Sequence, residues 1–340
     1  MRSWRTSSAN WPRTCWDRPA PRACWPPSGP STPWAIPATW SPPRPRRRNR
    51  MAASNTPRLG FIGFGEAGPL IAKGLLAAGL PGPIAARDIR ERPAVEGVEM
   101  TGGIAELVGR SDIVLSTVTA TEALEVAEEA AQTLKPGQIY MDLNSTSPMV
   151  KQKIAEVINP TGARFVEIAI MDGVPGRNEK VPMLLVGQAA KEVIEVLTPY
   201  GVNMREFGTE YGRAAATKMF RSVLVKGLEA LLQECVLGAE TYGVADEVFQ
   251  SMNRSYAGKN FDELAHFLIG RTAIHGARRG HELEEVADTL RALGYEPFMC
   301  DAGAKRLAWL SQFGFKEKYG DDAPEDYREV FAELQKRRKT

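Results

Sequence analysis

From Arg58 onward the apolar positions fall into short, alternating blocks. "RLGFIGFG" (58–65) is a compact apolar run closed by glycines, which predicts a buried strand. "GPLIAKGLLAAGL" (68–80) spaces its apolar residues like one face of a helix, and "GPIAARD" (82–88) reads as strand again. Further strand-like runs are "DIVLSTVT" (112–119), "GQIYMDLN" (137–144), "ARFVEIAIM" (163–171) and "VPMLLVG" (181–187). Helical stretches such as "ATEALEVAEEAAQTL" (120–134) and "SPMVKQKIAEVI" (147–158) lie between several of them. Strands alternating with helices predict a mostly parallel sheet covered by helices on both faces. After about residue 210 strand patterns disappear. "GRAAATKMFRSVLVKGLEALLQECVLGAETYG" (212–243) predicts one helix of about 30 residues, roughly 45 Å long. The remainder, to Thr340, is helical and charged, with no repeat at solenoid periods. The expected architecture is a doubly wound α/β domain over 57–209 and an all-α domain over 210–340, joined by the long helix.

The first 50 residues do not fit that pattern. They hold six of the seven tryptophans, eleven prolines and ten arginines, with Asp17 as their one acid. Proline at this density removes helix and strand hydrogen bonds, so disorder is expected. Three readings stand: a transit peptide, a Pro/Arg recognition arm, or an extension outside the working protein, whose synthesis then begins at Met51. A transit peptide should form an amphipathic helix, which these prolines prevent. The third reading is preferred, and residues 1–50 are set aside from the fold.

That division changes the meaning of the net charge. The chain's +2 is +9 on residues 1–50 and −7 on the rest. An acidic body argues against nucleic acid, because phosphate neutralisation needs a cationic surface. Cys235 and Cys300 are the only cysteines beyond residue 50, without metal-ligand or disulfide spacing. A reduced, cytoplasmic protein without a bound metal is expected. No apolar run reaches the ~20 residues of a membrane span, and the N-terminus lacks the apolar stretch of a signal peptide.

Candidate chemistry begins at Gly63-Phe64-Gly65-Glu66-Ala67-Gly68, a G-x-G-x-x-G between the first strand and the first helix. Gly63 suits a tight turn, Gly65 a close approach of pyrophosphate to backbone N–H groups, and Gly68 close helix–strand packing. The helix N-terminus that follows favours phosphate. Asp88 ends the second strand 20 residues beyond Gly68, where a carboxylate would accept ribose hydroxyls and repel a 2′-phosphate. NAD is therefore expected, although Arg87 and Arg90 beside Asp88 could reverse the choice to NADP. The N-terminal domain reads as a Rossmann-type nucleotide-binding unit.

From about Arg58 to Gly243 the order of motifs resembles the β-hydroxyacid dehydrogenase family, relatives of 3-hydroxyisobutyrate and 6-phosphogluconate dehydrogenases. "GFIGFGEAG" (60–68) resembles the family's opening G-x-I-G-x-G-x-M-G, with Ala67 in place of Met. "MDLNSTSP" (141–148) resembles its D-x-S-T-x-x-P loop, placing Asn144 and Ser145 where the family has Ser-Thr near the nicotinamide. Val118 and Thr119 stand where the family often has Leu-Pro against the cofactor. "FVEIAIMDGVPGRNEKVPMLLVG" (165–187) matches the family's F-V-D-A-P-V-S-G-G segment, so the substrate-binding S-G-G falls on Met171, Asp172 and Gly173. A methionine and a carboxylate there should weaken an anion site. Two readings of Asp172 remain: a substrate that is less anionic or carries its acid elsewhere, or a turn-stabilising aspartate.

The family's G-x-G-x-x-x-K-x-x-N/N block resembles "GRAAATKMFRS" (212–222), with Ser222 at the helix-phased Asn position. The resemblance implies that Lys218 is the general acid/base and that a homodimer forms. Farther along, His275, Arg278, Arg279 and Glu282 recur at helical spacing. Arg278 and Arg279 read either as a substrate-anion clamp or as intrahelical partners of Glu282 or interface residues. The resemblance thus implies an NAD(P)-dependent dehydrogenase acting on the CH–OH group of a hydroxy acid or related alcohol. An imine reductase-like enzyme and an NAD(H)-binding sensor without turnover are the alternatives.

Overall fold

The computed structural model describes residues 56–337. The expectation for residues 1–50 lies outside them. The chain opens with β1 (Leu59–Ile62), α1 (Ala67–Ala77), β2 (Ile84–Arg87), β3 (Val98–Met100) and α2 (Ile104–Arg110). It continues through β4 (Ile113–Ser116), α3 (Ala123–Ala131), β5 (Ile139–Asp142), α4 (Pro148–Ile158) and β6 (Arg164–Ile170). Then come β7 (Met183–Val186), α5 (Ala190–Leu197), β8 (Met204–Glu206) and the 30-residue α6 (Arg213–Tyr242). The strands form one eight-stranded sheet in the order β3-β2-β1-β4-β5-β6-β7-β8. All neighbours are parallel except β6 and β7.

Strand periodicity sorts the core into two layers. Leu59, Phe61, Ile113, Leu115, Ile139, Met141 and Val166 face α1 and α5. Ile62, Val114, Tyr140 and Phe165 face α2, α3 and α4. Successive side chains alternate across a pleated sheet, so adjacent residues enter opposite layers. The short β3 and β8 and the helices α2 and α5 are not foreshadowed by the apolar blocks. Three-residue edge strands carry too few side chains to show a period.

The sheet is wound outward in both directions from β1 and β4. Their carboxyl ends, with those of β5 and β6, therefore open onto a shared crevice at the topological switch point, where such sheets bind ligands. Helix α6 starts beside this crevice. The rest of the chain is helical: α7 (Ala245–Ser255), α8 (Phe261–Ala292), α9 (Phe298–Ser311), α10 (Phe315–Tyr319) and α11 (Tyr327–Arg337). The 32-residue α8 begins in a capping box of Asn260 and Glu263. It packs closely on α9 because Gly276 has no Cβ, which would lie 2.5 Å from the Leu307 carbonyl oxygen. On α6, by contrast, only Ala214, Ala215, Glu234 and Ala239 are buried, while Phe220, Val223 and Leu224 are exposed.

Candidate active site

A cleft of about 820 Å³ lies at the carboxyl ends of the central strands. The glycine loop forms its floor. Gly63 has φ +86°, and a Cβ there would meet the Thr117 carbonyl oxygen at 2.6 Å. At Gly68 a Cβ would lie 2.9 Å from the Gly63 carbonyl oxygen, which is why α1 starts so near β1. Gly65 faces the cleft, with only an Arg92 nitrogen near its missing Cβ. Such a cradle fits a dinucleotide, whose phosphates need close backbone approach at a helix N-terminus. Glu66, Ala67, Val118, Thr119 and Ser145 also line the cleft, whereas Phe64 points its ring into the core.

Asp88 directly follows β2, with its carboxylate turned inward. Oδ2 accepts the Phe64 N–H at 2.7 Å and Oδ1 accepts the Arg90 N–H at 2.8 Å. The Arg92 guanidinium lies 3.1 Å away. Burial opposes ionisation of Asp88, but these hydrogen bonds and Arg92 outweigh it and hold its pKa below the usual carboxylate value. The aspartate ties the glycine loop to β2.

Lys218 reaches the same cleft from α6. Its Nζ donates to Ser145 Oγ at 2.6 Å. No ion pair neutralises this ammonium among the described residues. Burial lowers its pKa, and repulsion from Lys151 and Arg221 lowers it further. The result is a half-buried amine, its pKa below an ordinary lysine's, beside the loop that follows β5.

A buried polar layer fixes this arrangement, and it is the part the sequence reading missed. Asp142 and Glu167 are paired in register on β5 and β6, and neither is exposed to solvent. Lys151, from the first half of α4, donates to Asp142 Oδ2 at 2.6 Å and to the Asp142 carbonyl at 2.9 Å. Asp142 also accepts the Asn144 side-chain amide, which donates to Ser116 Oγ at 2.9 Å. Because that amide nitrogen faces a carboxylate, the orientation of Asn144 is determined. Glu167 accepts the backbone N–H groups of Gly212 and Ala215, at 2.5 and 2.6 Å, at the start of α6. Burial raises the Glu167 pKa despite both hydrogen bonds and Lys151. The available signal was a charge inside each apolar run, Glu167 in "FVEIAI" and Lys151 in "PMVKQKI".

Other candidate residues are placed differently. Asp172 lines the cleft and pairs with Arg177 at 3.0 Å, while its Oδ1 accepts the Gly173 N–H. Met171 packs toward Ala169, Leu184 and Ala214. Ser222 donates to the Lys218 carbonyl within α6, at 3.0 Å. Arg278 pairs with Glu282 on α8, and neither it nor Arg279 lines this chain's cleft.

Comparison with known proteins agrees with the geometry. Residues 58–208 match the NAD binding domain of 6-phosphogluconate dehydrogenase, and residues 239–310 match a domain of unknown function, DUF1932. A solved conserved protein, described as structurally similar to 3-hydroxyacid dehydrogenases, is 30% identical with TM-score 0.52, covering 75% of this chain and 97% of its own. The chain belongs to the β-hydroxyacid dehydrogenase family. An uncharacterised Methanothermus fervidus protein is 30% identical over 71% of this chain and 94% of its own length. The 3-hydroxyisobutyrate dehydrogenase of Drosophila melanogaster is 26% identical, and the match spans 59% of this chain and 64% of that enzyme. An imine reductase from Myxococcus stipitatus, solved with NADP+, shares the fold at TM-score 0.63 and 16% identity, over 82% of this chain and all of its own. A β-hydroxyacid dehydrogenase family member is an oxidoreductase relative with a nicotinamide-dinucleotide-binding domain, and none of the described helices is long and apolar enough to cross a membrane.

Proposed function

We propose that this chain is an NAD(P)-dependent dehydrogenase acting on the CH–OH group of a hydroxy acid or related alcohol, with Lys218 as general acid/base. The observation that carries this reading is the Lys218 amine, half-buried without a counter-ion among the described residues, 2.6 Å from Ser145 in the dinucleotide cleft. A bound nicotinamide supplies the hydride acceptor or donor. In oxidation the neutral Lys218 amine takes the hydroxyl proton as the C–H electron pair leaves carbon and the carbonyl forms. In reduction the Lys218 ammonium returns that proton to the oxygen. Ser145 holds Nζ in place, and the wall formed by Asp172 meets the part of the substrate distal to the reacting carbon.

Under this reading residues 57–209 bind the dinucleotide and 210–340 supply Lys218 and the subunit contact. The apolar, exposed face of α6, with Phe220, Val223 and Leu224, fits a second copy of the chain. A dimer would bring the partner's helical region near the cleft, where Arg278 and Arg279 could serve as an anion clamp. The imine reductase alternative shares the fold, but a basic amine at the reacting position suits an alcohol better than an iminium ion. A panel of hydroxy acids, polyols and cyclic imines, followed by the absorbance of the reduced cofactor, tests the reading. Turnover of imines alone, or of nothing, would overturn it.

A further inference from the structure

We propose that Ser145 and Lys218 form a nucleophilic serine–lysine dyad, and that the cleft hydrolyses esters of short carboxylic acids through an acyl group carried on Ser145. This activity goes beyond the dehydrogenase reading, needs no nicotinamide, and stands or falls separately from it.

A serine hydroxyl is a weak nucleophile until a neighbouring base takes its proton during attack. The reach for that transfer is about 2.6–3.2 Å between heavy atoms. Lys218 Nζ lies 2.6 Å from Ser145 Oγ. Lysine can serve as this base because burial readily yields its neutral form, with a free lone pair. Lys218 is half-buried, no carboxylate pairs with it among the described residues, and Lys151 and Arg221 repel its charge. Ser145 forms no other side-chain hydrogen bond among the described residues, so its hydroxyl is committed to Lys218 alone. It is exposed to the cleft, while its neighbours Asn144 and Thr146 are buried.

Its place in the fold suits attack. Ser145 stands between the carboxyl end of β5 and the start of α4, in the loop 143–147. Strand-to-helix turns of this kind present nucleophilic serines at the edge of parallel sheets. The loop is held on both sides: Asn144 donates to Ser116 Oγ at 2.9 Å, and Ser147 Oγ accepts the Val150 N–H at 3.3 Å. The serine is therefore ordered before an ester arrives. The positive end of the α4 dipole, beginning at Pro148, favours the negative charge that develops on the attacked carbonyl oxygen. Leu143, Ile170 and Val174 line the same cleft and give a short acyl chain an apolar wall.

The steps balance without an oxidant or reductant. Ser145 Oγ bonds to the acyl carbon as its proton passes to Lys218 Nζ. The bond from that carbon to the alcohol oxygen then breaks, and the Lys218 ammonium protonates the departing alkoxide. Water repeats the sequence on the acyl-serine, its proton going to Lys218, and releases the carboxylic acid and free Ser145.

The full chain, without added nicotinamide, is treated with p-nitrophenyl acetate and, separately, with a fluorophosphonate, which phosphonylates activated serines by displacing fluoride. Peptide mapping should place the phosphonyl group on Ser145, and nitrophenolate should be released catalytically. Ser145→Ala should abolish both reactions. Lys218→Met should slow both by roughly 10²-fold or more, the loss expected of a general base. No label on Ser145, equally fast labelling in Lys218→Met, or ester hydrolysis unchanged in Ser145→Ala would overturn the dyad. So would transfer of the acetyl group to Lys218 in place of Ser145. Each of those results would leave the dehydrogenase reading to its own assay, the oxidation of alcohols with the nicotinamide present.

Discussion

Glu167, in the middle of β6, accepts the backbone N–H of Ala215 at 2.6 Å, three residues before Lys218 on α6. A carboxylate at a helix N-terminus is stabilised by the helix dipole, and here it also anchors the helix that delivers the amine. Glu167→Gln keeps the shape but turns an NH2 toward one of two N–H donors. A loss of about 2 kcal/mol in stability is expected from a broken hydrogen bond to a charged group. The value of kcat should fall more than cofactor affinity does. Denaturant unfolding together with steady-state kinetics checks both; unchanged kcat in a destabilised protein would confine Glu167 to the fold.

Lys218→Met removes the amine proposed as general acid/base while retaining most of the side chain's volume. Turnover should fall by roughly 10²- to 10⁴-fold, the usual range for general acid–base groups. Cofactor affinity, read by fluorescence titration, should change little. A variant with wild-type turnover would exclude Lys218 as the acid/base.

The pH profile should follow from the lowered pKa of Lys218. Alcohol oxidation needs the neutral amine, so its rate should rise with pH through a value below an ordinary lysine's 10.5. Carbonyl reduction needs the ammonium and should fall through the same value. Stability carries a matching sign. Between the folded and unfolded pKa values the unfolded chain binds the extra proton, so the penalty of the half-buried ammonium is relieved as pH rises. Lys218→Met should remove that limb from both profiles.

Lys151 and Asp142 form a fully buried ion pair. Lys151→Met leaves the Asp142 charge without its cation and should cost about 3–5 kcal/mol. Replacing both, as Lys151→Met/Asp142→Leu, should recover part of that loss, because no lone charge is then left in the core. Urea unfolding of the single and double variants gives the comparison; a single variant as stable as wild type would show the pair to be dispensable.

Gly63→Ala places a Cβ 2.6 Å from the Thr117 carbonyl oxygen, at a backbone φ of +86°. The loop must shift, at a cost of order 1–3 kcal/mol for a strained non-glycine residue. Affinity for the dinucleotide should weaken at least tenfold in titration, with Lys218 still in place. Unaltered affinity would mean that the loop does not cradle phosphate.

The sequence by itself determined the sheet's central strands, the glycine loop, the 30-residue α6 and the position of Lys218 upon it. These are local patterns: apolar period, glycine spacing and turn chemistry are written in neighbouring residues. Asp88 shows where that legibility ends. Its spacing from Gly68 was legible, but not the direction of its carboxylate, which depends on the Phe64 and Arg90 N–H groups that the fold brings to it. The same holds for Glu167, whose partners lie 45 and 48 residues away. Ser222 keeps its helical phase, yet its hydroxyl turns to its own helix. Only the tertiary structure decided which charges are paired, because Coulomb and hydrogen-bond energies depend on distance in space and on burial, and residue spacing along the chain encodes neither.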